Sequence, residues 1–218
     1  MSFDWMAIVS ALPDLLRGLE LTIVIAAAGL AGGLALGGLA GIVLTYGGLI
    51  SRIPATAYVA LIRGTPIVVQ VMFIYFALPL LLELRLSATN AAVITIAINA
   101  GAYIAEIIRG ALEGVPKGLG EAGLSMGLPF WRVLVDVIGP LAFRRALPAL
   151  GNQVINSVKD TSFFLVIGVA ELTRQGQEIM AENFHAVEIW CAVAVIYLLL
   201  ISAIAGSLRI LERVVRIP

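Results

Sequence analysis

Four charged side chains, Arg63, Glu106, Lys159 and Asp160, stand away from the basic or acidic flanks, inside stretches of this chain that are otherwise mostly apolar. An ionised group at mid-bilayer costs about 2.5–3.5 kcal/mol on insertion scales, so each is expected to face a partner or a wet cavity. Gln70, Asn99, Thr161 and Ser162 lie in the same stretches and offer neutral hydrogen bonds. The spacing supplies little for bond-breaking chemistry. No GxxxxGK[ST] run is present to cradle a phosphate, and one histidine (His185) with one cysteine (Cys191) cannot assemble a zinc site, so no metal is expected. Gly123-Leu-Ser125-Met-Gly127 matches GxSxG, but that nucleophile elbow needs a preceding strand and a histidine within reach. Here it falls in a glycine-rich helical segment, and His185 is expected on the opposite side of the membrane.

The elements that must position these groups follow from composition. Of 218 residues, 61% are hydrophobic and 13% charged, against about 45–50% and about 25% in soluble domains. Mean hydropathy is +1.03. Too little polar side chain remains to cover a solvated surface, and disorder and a disulfide scaffold are excluded with it. Fourteen Lys+Arg balance fourteen Asp+Glu, which argues against nucleic acid as a partner. A spanning helix needs about 20 mainly apolar residues, and five such stretches are read at 20–45, 54–82, 88–112, 144–169 and 187–208. The chain is thus expected to be an all-α polytopic membrane protein, a single transmembrane domain over 1–218 with the lipid bilayer as its surroundings. Residues 1–19, interrupted by Asp4, Asp14 and Arg17, are expected to form an amphipathic segment at the outer surface rather than a cleavable signal. In residues 29–41, Gly29, Gly32, Gly33, Gly37, Gly38 and Gly41 suit close helix packing. Trp5, Trp190 and Tyr197 read as interfacial or packing aromatics.

Basic residues are retained on the cytoplasmic side. With the amino terminus outside, the inner segments hold Arg52, Arg109, Lys117, Arg132, Arg144, Arg145, Arg209, Arg213 and Arg216, and the outer ones only Arg17, Arg85 and Arg174. Residues 113–143, which mix Pro116, Pro129 and Pro140 with charge, then form a cytoplasmic loop with its own short helix over 117–127. Phe130 and Trp131 are expected to anchor that helix on its own subunit, and Glu178, Glu182 and His185 to lie in a solvated outer loop. At about 1.5 Å rise per residue, Arg63 lies roughly 14 Å and Glu106 roughly 9–12 Å from the cytoplasmic ends of their spans, so the two can pair. Asp160 and Gln70 lie roughly 24 Å in, and Asn99 within a turn or two of that level, so these three can line one polar chamber.

At the loop the residues carry a resemblance. Glu121-Ala122-Gly123, then Gly127, Val137 and a closing Pro140 resemble the EAA loop of the membrane subunits of ATP-binding-cassette importers. Further ordered blocks are similar to the polar amino acid permease family: Arg63-Gly-Thr-Pro66 with Gln70, Ala102-Tyr-Ile-Ala-Glu106-Ile-Ile-Arg109-Gly110, Val115-Pro-Lys-Gly118, Phe143-Arg-Arg-Ala-Leu-Pro148, Lys159-Asp-Thr-Ser162 and Ile167-Gly-Val-Ala-Glu-Leu172. The similarity runs from about residue 10 to about residue 212. Gly123 stands where the family usually has alanine and Gly139 where leucine is usual, which suggests a looser coupling helix.

The resemblance implies a type I importer fold with five transmembrane helices in a bacterial inner membrane, amino terminus outside and carboxyl terminus cytoplasmic. Glu121, Ala122, Gly123 and Gly127 would dock on two cytoplasmic ATPases, which bind the ATP and magnesium that this chain does not. A second permease subunit, related or identical, and an extracellular or periplasmic binding protein complete the implied assembly. The cargo would be a polar amino acid, and residues 3–19 are similar to those of glutamate and aspartate permeases. For such a zwitterion Asp160 is the candidate for the ammonium and Lys159 or Arg63 for the carboxylate, with Thr161, Ser162, Gln70, Asn99 and Glu106 along the path. The alternative for the charged residues is that Arg63 with Glu106, and Lys159 with Asp160, are internal pairs that fix packing. Lys159 and Asp160 point about 100° apart on a helix and cannot both face one narrow lumen. The alternative from another class is an ion-coupled carrier or channel with no ATPase.

Overall fold

The computed structural model describes residues 3–215, and every regular element among them is helical. Helix α1 runs from Trp5 to Tyr46 without a break, capped where Asp4 Oδ1 accepts the Met6 N–H at 2.9 Å. Its length, about 63 Å, is roughly twice the hydrocarbon thickness. Residues 5–19 are continuous, in one helix, with the first span. The reason is periodic: Ala7, Ala11, Leu15 and Gly18 continue the buried stripe of Thr22, Ile25 and Gly29.

The stretch 54–82, expected as one helix, is two: α2 (Leu49–Arg63) and α3 (Ile67–Leu82), bent by 107°. Gly64 and Pro66 make the break. Proline removes a backbone donor and drives the residue before it out of the helical region, and Pro66 itself is extended (φ −65°, ψ 142°). A wider π-type turn over Phe73–Ala77 then precedes Pro79.

Helix α4 (Ala88–Glu113) begins at Ser87, whose hydroxyl accepts the Asn90 N–H. Helix α5 (Lys117–Ser125) follows Pro116. The chain is helical again over 130–160, with π-type turns at Val133–Ile138 leading into α6 (Gly139–Asp160). A tight 3-10 segment, Thr161–Ile167, ends at Gly168 (φ 78°). Helices α7 (Leu172–Asn183) and α8 (Ala186–Val215) complete the described chain.

Glycines decide the central contact. A Cβ at Gly29, Gly37 or Gly41 would meet Ile96, Ile104 or Ile108 at 2.5–2.9 Å, and one at Gly33 would meet Ala100 at 3.1 Å. The ridge of α4 therefore sits directly on the α1 backbone, the role the glycine-rich run suggested. Residue numbers rise together along this seam, so α1 and α4 are parallel, and the bent α2 and α3 pair must carry the chain back across the bundle. Ala111, Leu112 and Val115 at the end of α4 pack with Ile138, Ala142 and Ala146 at the start of α6, which runs antiparallel. Ala11 and Leu15 of α1 pack with Ile189, Ala192 and Val193 of α8, and farther along α8 Leu208 reaches Gly151 on α6.

The result is five traverses. Three helices, α1, α4 and α8, are long and apolar enough to cross a membrane, and the bent pair makes a fourth. The fifth, α6, falls short of that apolarity because its second half carries Asn152, Gln153, Asn156, Lys159 and Asp160. Arg52, Arg109, Lys117, Arg132, Arg144, Arg145, Arg209 and Arg213 lie toward the end of the bundle that bears α5, whereas Arg17, Arg85 and Arg174 lie toward the other. Arg216 falls outside the described residues.

Candidate functional site

The break between α2 and α3 leaves carbonyls without helical partners, and Gln70 takes them. Its amide nitrogen lies 2.7 Å from the Ile62 oxygen and 3.0 Å from both the carbonyl and hydroxyl oxygens of Thr65. Gln70 Oε1 in turn accepts from Asn99 Nδ2 at 2.9 Å. Both amides are buried. Asn99 is thus held from behind by the residue that fastens the bend.

In front of it opens a cavity of about 280 Å³, bounded by Thr65, Asn99, Tyr103, Gln153, Asn156 and Asp160, with Pro66 and Ile67. Asn99 and Asp160, expected to share a chamber, do line one. Gln70 stands in its wall, not on its surface. Thr65, Tyr103, Gln153 and Asn156 complete the lining, and helical spacing marks the last three. Asn99, Tyr103 and Glu106 recur at i, i+4 and i+7 on α4, and Gln153, Asn156 and Asp160 at i, i+3 and i+7 on α6. Among the described residues, Asp160 is the one charged side chain that lines the cavity. Lys159 is exposed and lies off it, as the 100° step between neighbours requires. The Thr161 and Ser162 hydroxyls donate to the carbonyls of Val158 and Lys159 at 2.8 Å and so serve the turn into the 3-10 segment.

A second cavity, about 530 Å³, opens toward the α5 end and is lined by Arg52, Thr56, Arg63, Glu106, Arg109 and Glu113 among others. Arg63 Nη1 stands 3.8 Å from Glu106 Oε2, so these two do meet. The carboxylate is held more closely by Arg109, with contacts of 2.7 and 3.3 Å to its two oxygens. Arg109 also reaches Glu113 at 2.9 Å. The Arg63 guanidinium lies over the Tyr103 ring, 5.4 Å from its centre.

Helix α5 presents Glu121 and Ala122 to solvent and turns Gly123 inward. A Cβ at Gly123 would sit 3.0 Å from a Val133 methyl, so the glycine makes the helix fit tightly, contrary to the looser packing its presence suggested. Gly127 is left-handed (φ 81°), and the N–H of Leu128 returns to the Gly123 carbonyl at 3.2 Å, a glycine helix stop. Gly139 closes the π-type turns, where a Cβ would meet the Leu134 carbonyl at 2.8 Å. Phe130 packs edge-on against Tyr46 at 5.3 Å. Trp131 is not an anchor: it is 59% exposed and carries Arg132 over its ring. The Ser125 hydroxyl donates to the Glu121 carbonyl at 2.9 Å. On α6, Arg145 donates to the Gly114 carbonyl, tying the root of α5 to the far wall of the chamber.

At the opposite end Glu178 pairs with Arg174 at 2.6 Å. His185 is half-exposed between Asp4 and Glu188, at 3.9 and 3.8 Å, and Glu188 also accepts the Asp4 N–H at 3.1 Å. Glu171, fully buried, caps α7 and accepts from Thr173, Arg174 and the Tyr197 hydroxyl.

Known proteins are similar to this chain in sequence and in fold. The chain is 58% identical over 218 residues, all of both chains, to the glutamine transport system permease protein GlnP of Escherichia coli (strain K12). It is 31% identical over 98% of its length to the arginine transport system permease protein ArtQ of Bacillus subtilis (strain 168), covering 97% of that protein. A crystal structure described as an amino acid ABC transporter with histidines matches with a TM-score of 0.89 and 31% identity, over 98% of this chain and 99% of that one. A family model, the binding-protein-dependent transport system inner membrane component, matches residues 33–217. With most of the chain matched by that model and all of it by a curated relative, the protein belongs to the family of binding-protein-dependent inner membrane transport components.

Proposed function

We propose that this chain is the permease subunit of an ATP-driven uptake system for glutamine. The relatives' named cargoes supply the class of substrate, and the chamber supplies the chemistry. Its one charge, Asp160, suits an ammonium. The amides of Asn99, Gln153 and Asn156 can each both donate to and accept from a carboxamide side chain. A site built to hydrogen-bond a substrate amide discriminates strongly against an analogue that leaves those groups unpaired.

The energy comes from separate ATPase chains seated on α5, with ATP and magnesium bound there. The observation that carries this is where α5 stands: Glu121 and Ala122 face outward, Gly123 is pressed on Val133 in the turns that start α6, and the helix hangs from the end of α4. The chamber lies between α4 and α6, so displacement of α5 alters the two walls together. The α5 end, with its excess of arginine, faces the cytoplasm, and the Asp4 end receives the binding protein. The bundle pairs with a second permease subunit, and alternating access follows as the two α5 helices are drawn together.

The test is reconstitution of the complex purified with its ATPase and binding protein into proteoliposomes. Uptake of labelled glutamine that requires ATP, exceeds uptake of glutamate and arginine, and is matched by ATP hydrolysis supports the reading. Uptake driven by an ion gradient without ATP overturns it.

A further inference from the structure

The two cavities meet at one side-chain layer. Tyr103 lines the chamber, Arg63 and Glu106 line the cavity toward α5, and the Arg63 guanidinium lies over the Tyr103 ring at 5.4 Å. Arg63 closes α2 immediately before the Gly64-Thr65-Pro66 break, and Thr65, within that break, is again a chamber residue. Arg63 therefore stands between the chamber and the cavity toward α5.

Arg63 is also weakly held. Arg109 covers both oxygens of Glu106, which leaves Arg63 only a contact of 3.8 Å, beyond hydrogen-bond length. Its side chain is 45% exposed, and exposed ion pairs of this kind contribute little. A guanidinium offers five donors in a planar fork that matches a carboxylate, and a bidentate contact of that type is much stronger. Glu106 would not be left bare by the exchange, because Arg109 stays. Lys159, the other cation considered for a carboxylate, lies off the chamber.

We propose that Arg63 is an exchangeable gate: at rest it bridges Tyr103 and Glu106 between the two cavities, and the α-carboxylate of an amino acid whose ammonium is held at Asp160 draws it off that perch and opens the way toward α5. The proposal rests on the chamber being the amino acid's path. It makes passage selective for the carboxylate independently of any binding protein, since an amino acid amide has nothing with which to engage the fork. Tyr103 serves as the resting platform, so its ring matters to the closed state and its hydroxyl to the chamber.

The test uses the intact complex in two measurements without ATP or binding protein. In the first, labelled L-glutamine held in the chamber is competed with L-glutamine and with L-glutaminamide. The wild type is expected to favour the carboxylate form at least tenfold, Arg63→Ala to lose that preference, and Asp160→Asn to weaken both ligands together. In the second, proteoliposomes loaded with labelled L-glutamine are followed for efflux. Arg63→Ala and Tyr103→Ala are expected to leak at least tenfold faster than the wild type, Tyr103→Phe to stay closed, and Arg63→Lys, which keeps the charge without the fork, to fall between. An Arg63→Ala complex that keeps the carboxylate preference, or stays sealed, overturns the gate. Glutamine that binds neither wild type nor variant, while ATP-driven uptake persists, overturns the chamber reading beneath it.

Discussion

Asn99 Nδ2 donates to Gln70 Oε1 at 2.9 Å, so a side chain that lines the polar chamber is fastened to the one that holds the broken helix together. Gln70 is buried, and removing it leaves the Ile62 and Thr65 carbonyls of the break without their donor. Gln70→Ala is expected to destabilise the purified complex by about 1–3 kcal/mol, read as a lower melting temperature, and to reduce uptake although Gln70 never touches the chamber. A variant with wild-type melting and uptake would remove Gln70 from the account.

Asp160→Asn tests the chamber itself. Hydrogen bonds to a charged group contribute about 1.5–3 kcal/mol, so uptake efficiency for glutamine should fall roughly 10- to 100-fold. Lys159→Gln should change it far less, since that side chain lies off the cavity. Equal losses in the two variants, measured as initial rates of ATP-driven uptake, would contradict the assignment.

Gly37→Ala places a methyl 2.6 Å from the Gly101 carbonyl oxygen and from Ile104 Cβ, so α1 and α4 must part. The strain is expected to cost about 1–3 kcal/mol. Gly38→Ala, whose nearest neighbour is the Ile108 terminal methyl at 4.0 Å, should leave thermal stability unchanged. The pair separates a packing demand from the general tolerance of glycine in membrane helices.

Gly127→Ala probes the helix stop. The left-handed φ of 81° strains an alanine by about 1–3 kcal/mol, although the side chain meets open space. Expected is a displaced α5 with weaker ATPase retention during purification, and unaltered retention would show that the turn is not needed.

What the residues disclosed before the fold was known divides along physical lines. The glycine ridge, the five traverses, and the meeting of Arg63 with Glu106 were legible, because helical period and rise translate sequence spacing directly into face and depth. The 107° bend was not, although Gly64 and Pro66 announced it: the apolar run continues through them, and apolarity was given more weight than the missing donor. The continuity of residues 5–19 with the first span was likewise not legible, since Asp4, Asp14 and Arg17 interrupt the apolar run while the buried Ala11 and Leu15 carry the helix on. Tyr103, Gln153 and Asn156 were within reach of a helical-spacing reading but are not Asp, Glu, Lys or Arg, and formal charge pointed to Lys159 instead. Gly123 and Gly139 could not be weighed from spacing, because their value lies in the approach of Val133 and the Leu134 carbonyl.

The central claim is that a separate ATPase drives the chamber through α5. Its most direct measurement is the number of glutamine molecules taken up per ATP hydrolysed by reconstituted complexes bearing Glu121→Ala, with ATPase retention checked by co-purification. Glu121 is exposed, so folding should be unaffected. The account predicts that hydrolysis and uptake part company, with the ratio falling at least tenfold. A wild-type ratio in complexes that still hold the ATPase, or glutamine uptake that never needed ATP, would contradict it.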